Sequence, residues 1–168
     1  MIPVELRPGD HYPAVIVGGG QAGLSVSWHL ERAGVRHVVI ERDSAAHEWR
    51  DGRWDNFTLV TPNWQCRLPG YPYDGPDPDG FMTRDEVYSW VRGYADTFDA
   101  PLAEGVEVHR VDRRDDGVFV VTTSAGVITA DTVTSATGGY HRPITPSWAD
   151  DLPDRIVQMH SHHYRNAG

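Results

Sequence analysis

The chain has 168 residues, 39% of them hydrophobic and 23% charged, and a formal net charge of −9 at pH 7. That length buries one sizeable core, and an acidic balance with no basic run excludes a nucleic-acid partner while leaving room for a small anionic ligand. No apolar run approaches the ~20 residues of a membrane span and the start shows no charged-then-apolar leader, so the expectation is a cytoplasmic protein with no membrane partner.

Residues 1–11 read as a polar, proline-bearing lead-in. Ala14-Val15-Ile16-Val17 then has the β-branched character of a buried parallel strand. It breaks at Gly18-Gly19-Gly20 and passes into an amphipathic helix over 24–33. Gly18, Gly20 and Gly23 satisfy G-x-G-x-x-G. In that motif the first glycine allows a tight turn, the second lets the backbone approach a pyrophosphate, and the third lets the helix pack on the strand. The helix N-terminus then offers unpaired N–H groups and a positive dipole end to the phosphates. Gly34 closes the helix. A second strand over 35–40 ends in Glu41, eighteen positions beyond Gly23. A carboxylate at about that offset binds ribose hydroxyls, and its charge disfavours a 2′-phosphate. This first site is therefore expected to take FAD or NAD rather than NADP.

A short helix is expected over 45–50. The irregular stretch 51–82 carries Trp54, Phe57, Trp64, Tyr71, Tyr73 and Phe81. A loop of that length is functional or disordered, and its aromatic content argues against disorder, so it reads as an ordered wrap over a planar ligand. Cys66, the single cysteine, permits neither an internal disulfide nor a Cys-x-x-Cys redox pair. It reads as a small apolar filler. Thr83 and Glu86 form a capping box ahead of a helix over 84–97. The stripe Val87, Trp90, Val91, Tyr94 and Phe98 is expected to pack on a sheet. Pro101 and Gly105 close that segment. Strands over 106–113, 118–123 and 127–129, joined by Asp115-Asp116-Gly117 and Ser124-Ala125-Gly126, read as an antiparallel meander. A further strand over 131–136 ends at Thr137-Gly138-Gly139. The tail 140–168, rich in proline, histidine and acids, holds one more strand candidate, Ile156-Val157-Gln158-Met159. The fold class expected is α/β, a Rossmann-like domain whose parallel sheet carries an inserted antiparallel β-meander. A simple NAD dehydrogenase domain would continue with further βα units instead.

Several of these residues resemble the flavin-containing monooxygenases and their bacterial relatives. The resemblance rests on Gly18 to Leu24, the pair Trp49-Arg50, Leu68-Pro69-Gly70, and Ala136-Thr137-Gly138-Gly139-Tyr140-His141-Arg142-Pro143, four motifs in the family's order. It extends to a bacterial subgroup with an R-W-D…T-P-N-W-Q-C pattern, here Arg53-Trp54-Asp55 and 61–66. The resemblance implies FAD as cofactor, with NADPH or NADH as reductant in the complete enzyme and a small-molecule substrate. It implies that Gly18, Gly20, Gln21, Ala22 and Gly23 hold the pyrophosphate and Glu41 the adenosine ribose. Trp49 and Arg50 would lie along the flavin side, and Gln65, beside Trp64, would approach the isoalloxazine ring. Thr137 and Gly138 would pass the cofactor at the second glycine turn, and Val111 would meet the adenine edge through its backbone. It names no catalytic residue.

The resemblance further divides the chain into the lead-in 1–11, an FAD-binding domain over 12–147 and a hinge over 148–168 toward an NAD(P)H domain. Relatives carry F-x-G-x-x-x-H-x-x-x-W/Y at that hinge. Here His160 and Tyr164 match, while Asp154 and Ile156 replace the Phe and Gly. The histidines His160, His162 and His163 read as a polar hinge, and no metal is expected. No second G-x-G-x-x-G follows, so the sequence looks like the first half of a larger enzyme. The residues leave three readings open. One is the FAD-binding part of an oxidoreductase. Another is a non-catalytic FAD-binding module that needs a complementing chain or a second copy. The last is a minimal NAD-binding dehydrogenase domain.

Overall fold

Apolar, β-branched runs with both faces buried build a parallel sheet here, in a computed structural model that describes residues 1–139 and 143–167. In chain order the strands are β1 (Ile2–Pro3), β2 (His11–Val17), β3 (His37–Glu41), β4 (Arg67–Leu68), β5 (Tyr71–Pro72), β6 (Pro101–Glu104), β7 (Val108–Arg113), β8 (Phe119–Thr123) and β9 (Gly126–Ser135). The helices are α1 (Gln21–Arg32), α2 (His47–Arg50) and α3 (Arg84–Asp96). Seven strands lie in the order β1-β6-β3-β2-β9-β8-β7, and β4-β5 form a separate hairpin. The first five in that order run parallel, and β8 pairs antiparallel with β9 and β7 antiparallel with β8.

Alternation along the central strands sends side chains to both faces. Ile16, Val39 and Leu102 pack with Leu24 of α1 and with Val87, Val91 and Tyr94 of α3. Val15, Val38 and Ile40 face the other way, onto Val121 of β8, Ile128 of β9 and Leu6. The stripe expected to pack on the sheet does so through Val87, Val91 and Tyr94, while Trp90 and Phe98 flank it half-buried. The capping box is present: the Glu86 amide donates to Thr83 Oγ1 at 3.4 Å and the Thr83 amide to Glu86 Oε2 at 2.8 Å. Helix α1 closes at Gly34, φ +66°, with the Gly34 amide on Glu31 O and the Val35 amide on Leu30 O. That is the paired bonding of a Schellman end.

Four details depart from the sequence expectation. Pro101–Glu104, read as a closing segment, is an interior strand between β1 and β3. Pro101 lacks a donor but opens the strand, where that lack is tolerated. The strands expected over 127–129 and 131–136 are one ten-residue strand, β9. No turn residue separates them, and β9 pairs with β8 along its first half and β2 along its second. Ile2–Pro3 of the lead-in adds an edge strand against β6. Ile156-Val157-Gln158-Met159 forms no strand, because its backbone meets no sheet edge, and Val157 and Met159 are exposed.

The stretch 51–82 is ordered, as expected. It contains a 3-10 turn (Asn63–Gln65) and the β4-β5 hairpin, and its Tyr71 ring stacks on Trp90 and Tyr94. Among the described residues no helix is long and apolar enough to cross a membrane.

Candidate functional site

The carboxyl ends of β3 and β9 flank the β2–α1 turn, the place where open α/β sheets bind ligands. Gly18 sits there at φ +110°, and a Cβ added to it would lie 2.4 Å from the carbonyl oxygen of Ala136. Backbone bonds from Gly18 to Ile40 O and from Ala136 to Val17 O, both 2.8 Å, lock the turn between the flanking strands. A Cβ on Gly23 would stand 1.9 Å from Gly18 O. This glycine is what lets α1 approach β2. Gly20 differs from both. It has ordinary extended geometry (φ −81°), no side-chain cap bond, and nothing among the described residues within 4 Å of an added Cβ. The open space lies at the N-cap of α1, where first-turn amides have no intrahelical acceptor. An anion with several oxygens fits that donor set.

Glu41 lies beside this cradle and also builds it. Its Oε2 accepts the Gly19 amide at 2.7 Å and its Oε1 the Asp43 amide at 2.9 Å. Each carboxylate oxygen keeps a second lone pair, so ribose hydroxyls would find acceptors there. The following loop is fixed by groups that sequence reasoning missed. Glu104, at the end of β6, accepts the Ala45 amide at 2.7 Å and binds Arg92 of α3 through both oxygens, at 2.5 and 3.3 Å. The Arg92 hydrogen bond holds the Glu104 carboxyl below the usual carboxylate range against the opposing effect of burial. Ala46 then donates its amide to Gly19 O at 3.0 Å.

On the other side of β2, Thr137 lines a groove of about 400 Å³ with Val17, Val133, Ser135, Val108 and Val111. The structure thus brings Val111, on exposed edge strand β7, to the same groove as the second glycine turn. Gly138 follows at φ +72°, with nothing among the described residues within 4 Å of an added Cβ. Tyr140, His141 and Arg142 of the expected second motif lie outside the described residues.

Trp49, Arg50 and Gln65 stand apart from that convergence. Trp49 is half-buried against the helix-side core, its ring 6.1 Å from Phe57 with Arg53 stacked over it at 4.9 Å. Arg50 is exposed, held by Asp51 and laid over the Tyr88 ring at 4.6 Å. Trp64 and Gln65 are exposed on the 3-10 turn. Asn63, a second residue the sequence reading did not single out, fixes that turn from beneath. Buried itself, it donates Nδ2–H to Asp77 O and accepts the Met82 amide, both at 2.8 Å. Cys66 is half-buried with its thiol pKa pushed up by burial. That suits a filler rather than a nucleophile.

Residues 15–167 match the family described as pyridine nucleotide-disulphide oxidoreductase. An uncharacterised CzcO-like oxidoreductase of Geobacillus kaustophilus is 33% identical over 153 residues, 90% of this chain and 43% of the relative. The indole-3-pyruvate monooxygenase YUCCA1 of Oryza sativa is 31% identical over 91% of this chain and 38% of its own length. Among solved structures, a flavin-containing monooxygenase from Stenotrophomonas maltophilia superimposes with a TM-score of 0.80 at 28% identity, covering 93% of this chain and 47% of that one. The chain spans less than half the length of each of these relatives.

Proposed function

This chain belongs to the pyridine nucleotide-disulphide oxidoreductase family, and from that premise we propose that it supplies the FAD-binding part of a monooxygenase-like, FAD-dependent oxidoreductase. The observation that carries the reading is the open space at Gly20, above free helix-end amides and beside Glu41. Gly18 and Gly23 are accounted for by packing alone; Gly20 is not, and a pyrophosphate gives it a reason. The monooxygenase relatives support the direction of the chemistry. The disulphide chemistry in the family's name needs paired thiols, and these 168 residues hold one cysteine.

Bound FAD would supply the redox chemistry, taking hydride from NADPH or NADH and passing electrons to O₂ or another acceptor. The chain's own tasks are binding and orientation. Gly18 to Gly23 would hold the pyrophosphate and Glu41 the ribose. Val111, Thr137 and Gly138 would line the groove beside it, and Trp49, Arg50 and Gln65 would serve the isoalloxazine side. Residues 12–147 would form the binding unit and 148–168 a hinge, of which Gly168 lies outside the described residues. The substrate is a small molecule, and the protein acts in the cytoplasm.

The test is a visible absorption spectrum of the purified chain after incubation with FAD and desalting. A flavin band that stays with the protein is expected. A folded but colourless protein that binds NAD instead would overturn the FAD reading in favour of a minimal dehydrogenase domain.

A second reading has its own observation. Val60, Trp64 and Phe81 are 93%, 53% and 50% exposed on the ordered loop, an apolar face that a complementing chain or a second copy would cover. On that reading the module binds FAD but turns nothing over alone.

A further inference from the structure

We propose that residues 160–166 form a clasp whose docking is coupled to cofactor binding, through Asp55 and Arg165. The proposal rests on the FAD reading above and adds a conformational element to it. The Asp55 amide donates to Arg165 O at 2.9 Å. Arg165 Nη1 donates to the carbonyls of Asp51 and Arg53, both at 2.8 Å. Asn166 Nδ2 donates to Asp55 Oδ2 at 2.8 Å, and the other carboxylate oxygen accepts from Arg84 of α3 at 3.3 Å. The turn 51–55 is thereby a socket for a segment more than a hundred positions away, and it contains the Arg53-Trp54-Asp55 pattern.

The socket is joined to the phosphate turn by a short path of backbone bonds. Gly19 O accepts the Ala46 amide at 3.0 Å, Ala46 leads into α2, and the Asp51 amide returns to His47 O at 2.9 Å. The four residues of α2 are therefore held by the glycine turn at one end and by the clasp at the other, with Trp49 packed on the helix-side core between them. A helix this short has no stability of its own. It also starts from Ala46 at φ +65°, a left-handed conformation that costs a non-glycine residue free energy and persists only where the surroundings hold it. The clasp residues Asp55, Arg165 and Asn166 are exposed to solvent, so each bond is individually weak and the strap opens reversibly. Whichever event orders α2 first spares the other that cost, and by linkage the effect is reciprocal.

The experiment is hydrogen–deuterium exchange on the full chain with and without FAD, beside FAD titrations of Arg165→Ala, Arg165→Lys and, as an exposed control off the clasp, Arg155→Ala. FAD is expected to slow exchange at the Asp55 amide and across 160–166. Arg165→Ala is expected to weaken FAD binding about fivefold, the low end of ordinary coupling, with Arg165→Lys in between and the control unchanged. Should Arg165→Ala fail to fold, the exchange of the wild-type chain with and without FAD decides alone. A flavin that binds while exchange at 160–166 stays the same overturns the coupling. A wild-type chain that retains no flavin overturns the FAD reading itself, and the coupling with it.

Discussion

A methyl group added at Gly23 would lie 1.9 Å from the carbonyl oxygen of Gly18, whereas one added at Gly20 would meet nothing among the described residues. The two glycines of one motif therefore answer to different constraints, and substitution separates them. Gly23→Ala must push α1 off β2 and is expected to cost about 2–4 kcal/mol, read from urea unfolding. Gly20→Ser places a good N-cap residue in unstrained backbone, so stability should stay within about 0.5 kcal/mol. Its hydroxyl would claim the amides proposed to hold phosphate, and FAD affinity should fall at least ~10-fold, about 1.4 kcal/mol. Unchanged affinity in a stable Gly20→Ser protein would count against the pyrophosphate site. Glu104 makes the residue-scale case for pH. Its folded pKa lies below the ordinary 4.5 because of Arg92. Its contribution is therefore complete above about pH 4.5 and is lost as pH falls through the folded value. Glu104→Gln should cost about 1–2 kcal/mol near pH 7 and should flatten the fall in urea midpoint between pH 5 and pH 3. The glycines and Glu41 were legible because their spacing along the chain is itself the signal. Glu104 serves an amide 59 positions away, and no local pattern announces such a partner. Asn63 escaped for the same reason: its carbonyl and amide partners lie on 77–82.

Among the elements, the two long helices came through the sequence at the end that carries a local signal. Helix α3 has its capping box at the start, and α1 has Gly34 at its close. Thr83→Ala removes one half of the box and should lower stability by about 1 kcal/mol; the Thr83 amide, the larger of the two bonds that lower the Glu86 pKa, stays, while loss of the hydroxyl bond should let Glu86 titrate somewhat closer to its ordinary value. Both effects can be read from one set of urea titrations at several pH values, and an unchanged midpoint at pH 7 would deny the cap its role. Strands gave a less reliable signal because pairing, rather than propensity, decides them. Pro101–Glu104 is short and opens with proline, yet it is buried between two neighbours that supply its hydrogen bonds. Ile156–Met159 has the better strand composition and, among the described residues, no neighbouring strand. In β9 the change of partner from β8 to β2 happens inside one continuous strand, which a pattern read residue by residue divides in two.

For the molecule as a whole, the exposed apolar residues of the long loop have no purpose within the described fold. The bridge between Thr58 and Thr83 and the bond from the Leu59 amide to Met82 O bring Val60 near Phe81, and both side chains face solvent. Asn63 ties the turn beneath this face to Asp77 and Met82. Relatives about twice as long make a covering segment the natural occupant; in isolation, a second copy is the nearest substitute. Two copies each bearing −9 repel, and salt screens that repulsion while leaving apolar contact intact. Sedimentation velocity on the isolated chain should therefore show association that grows with protein concentration and strengthens between about 0.05 and 0.5 M salt, as the Debye length shrinks. Val60→Asp with Phe81→Asp should abolish it without loss of FAD, because neither residue belongs to the groove or the glycine turn. Association that weakens with salt would instead point to complementary charge, and a chain monomeric at every concentration would leave this face to a different partner than itself.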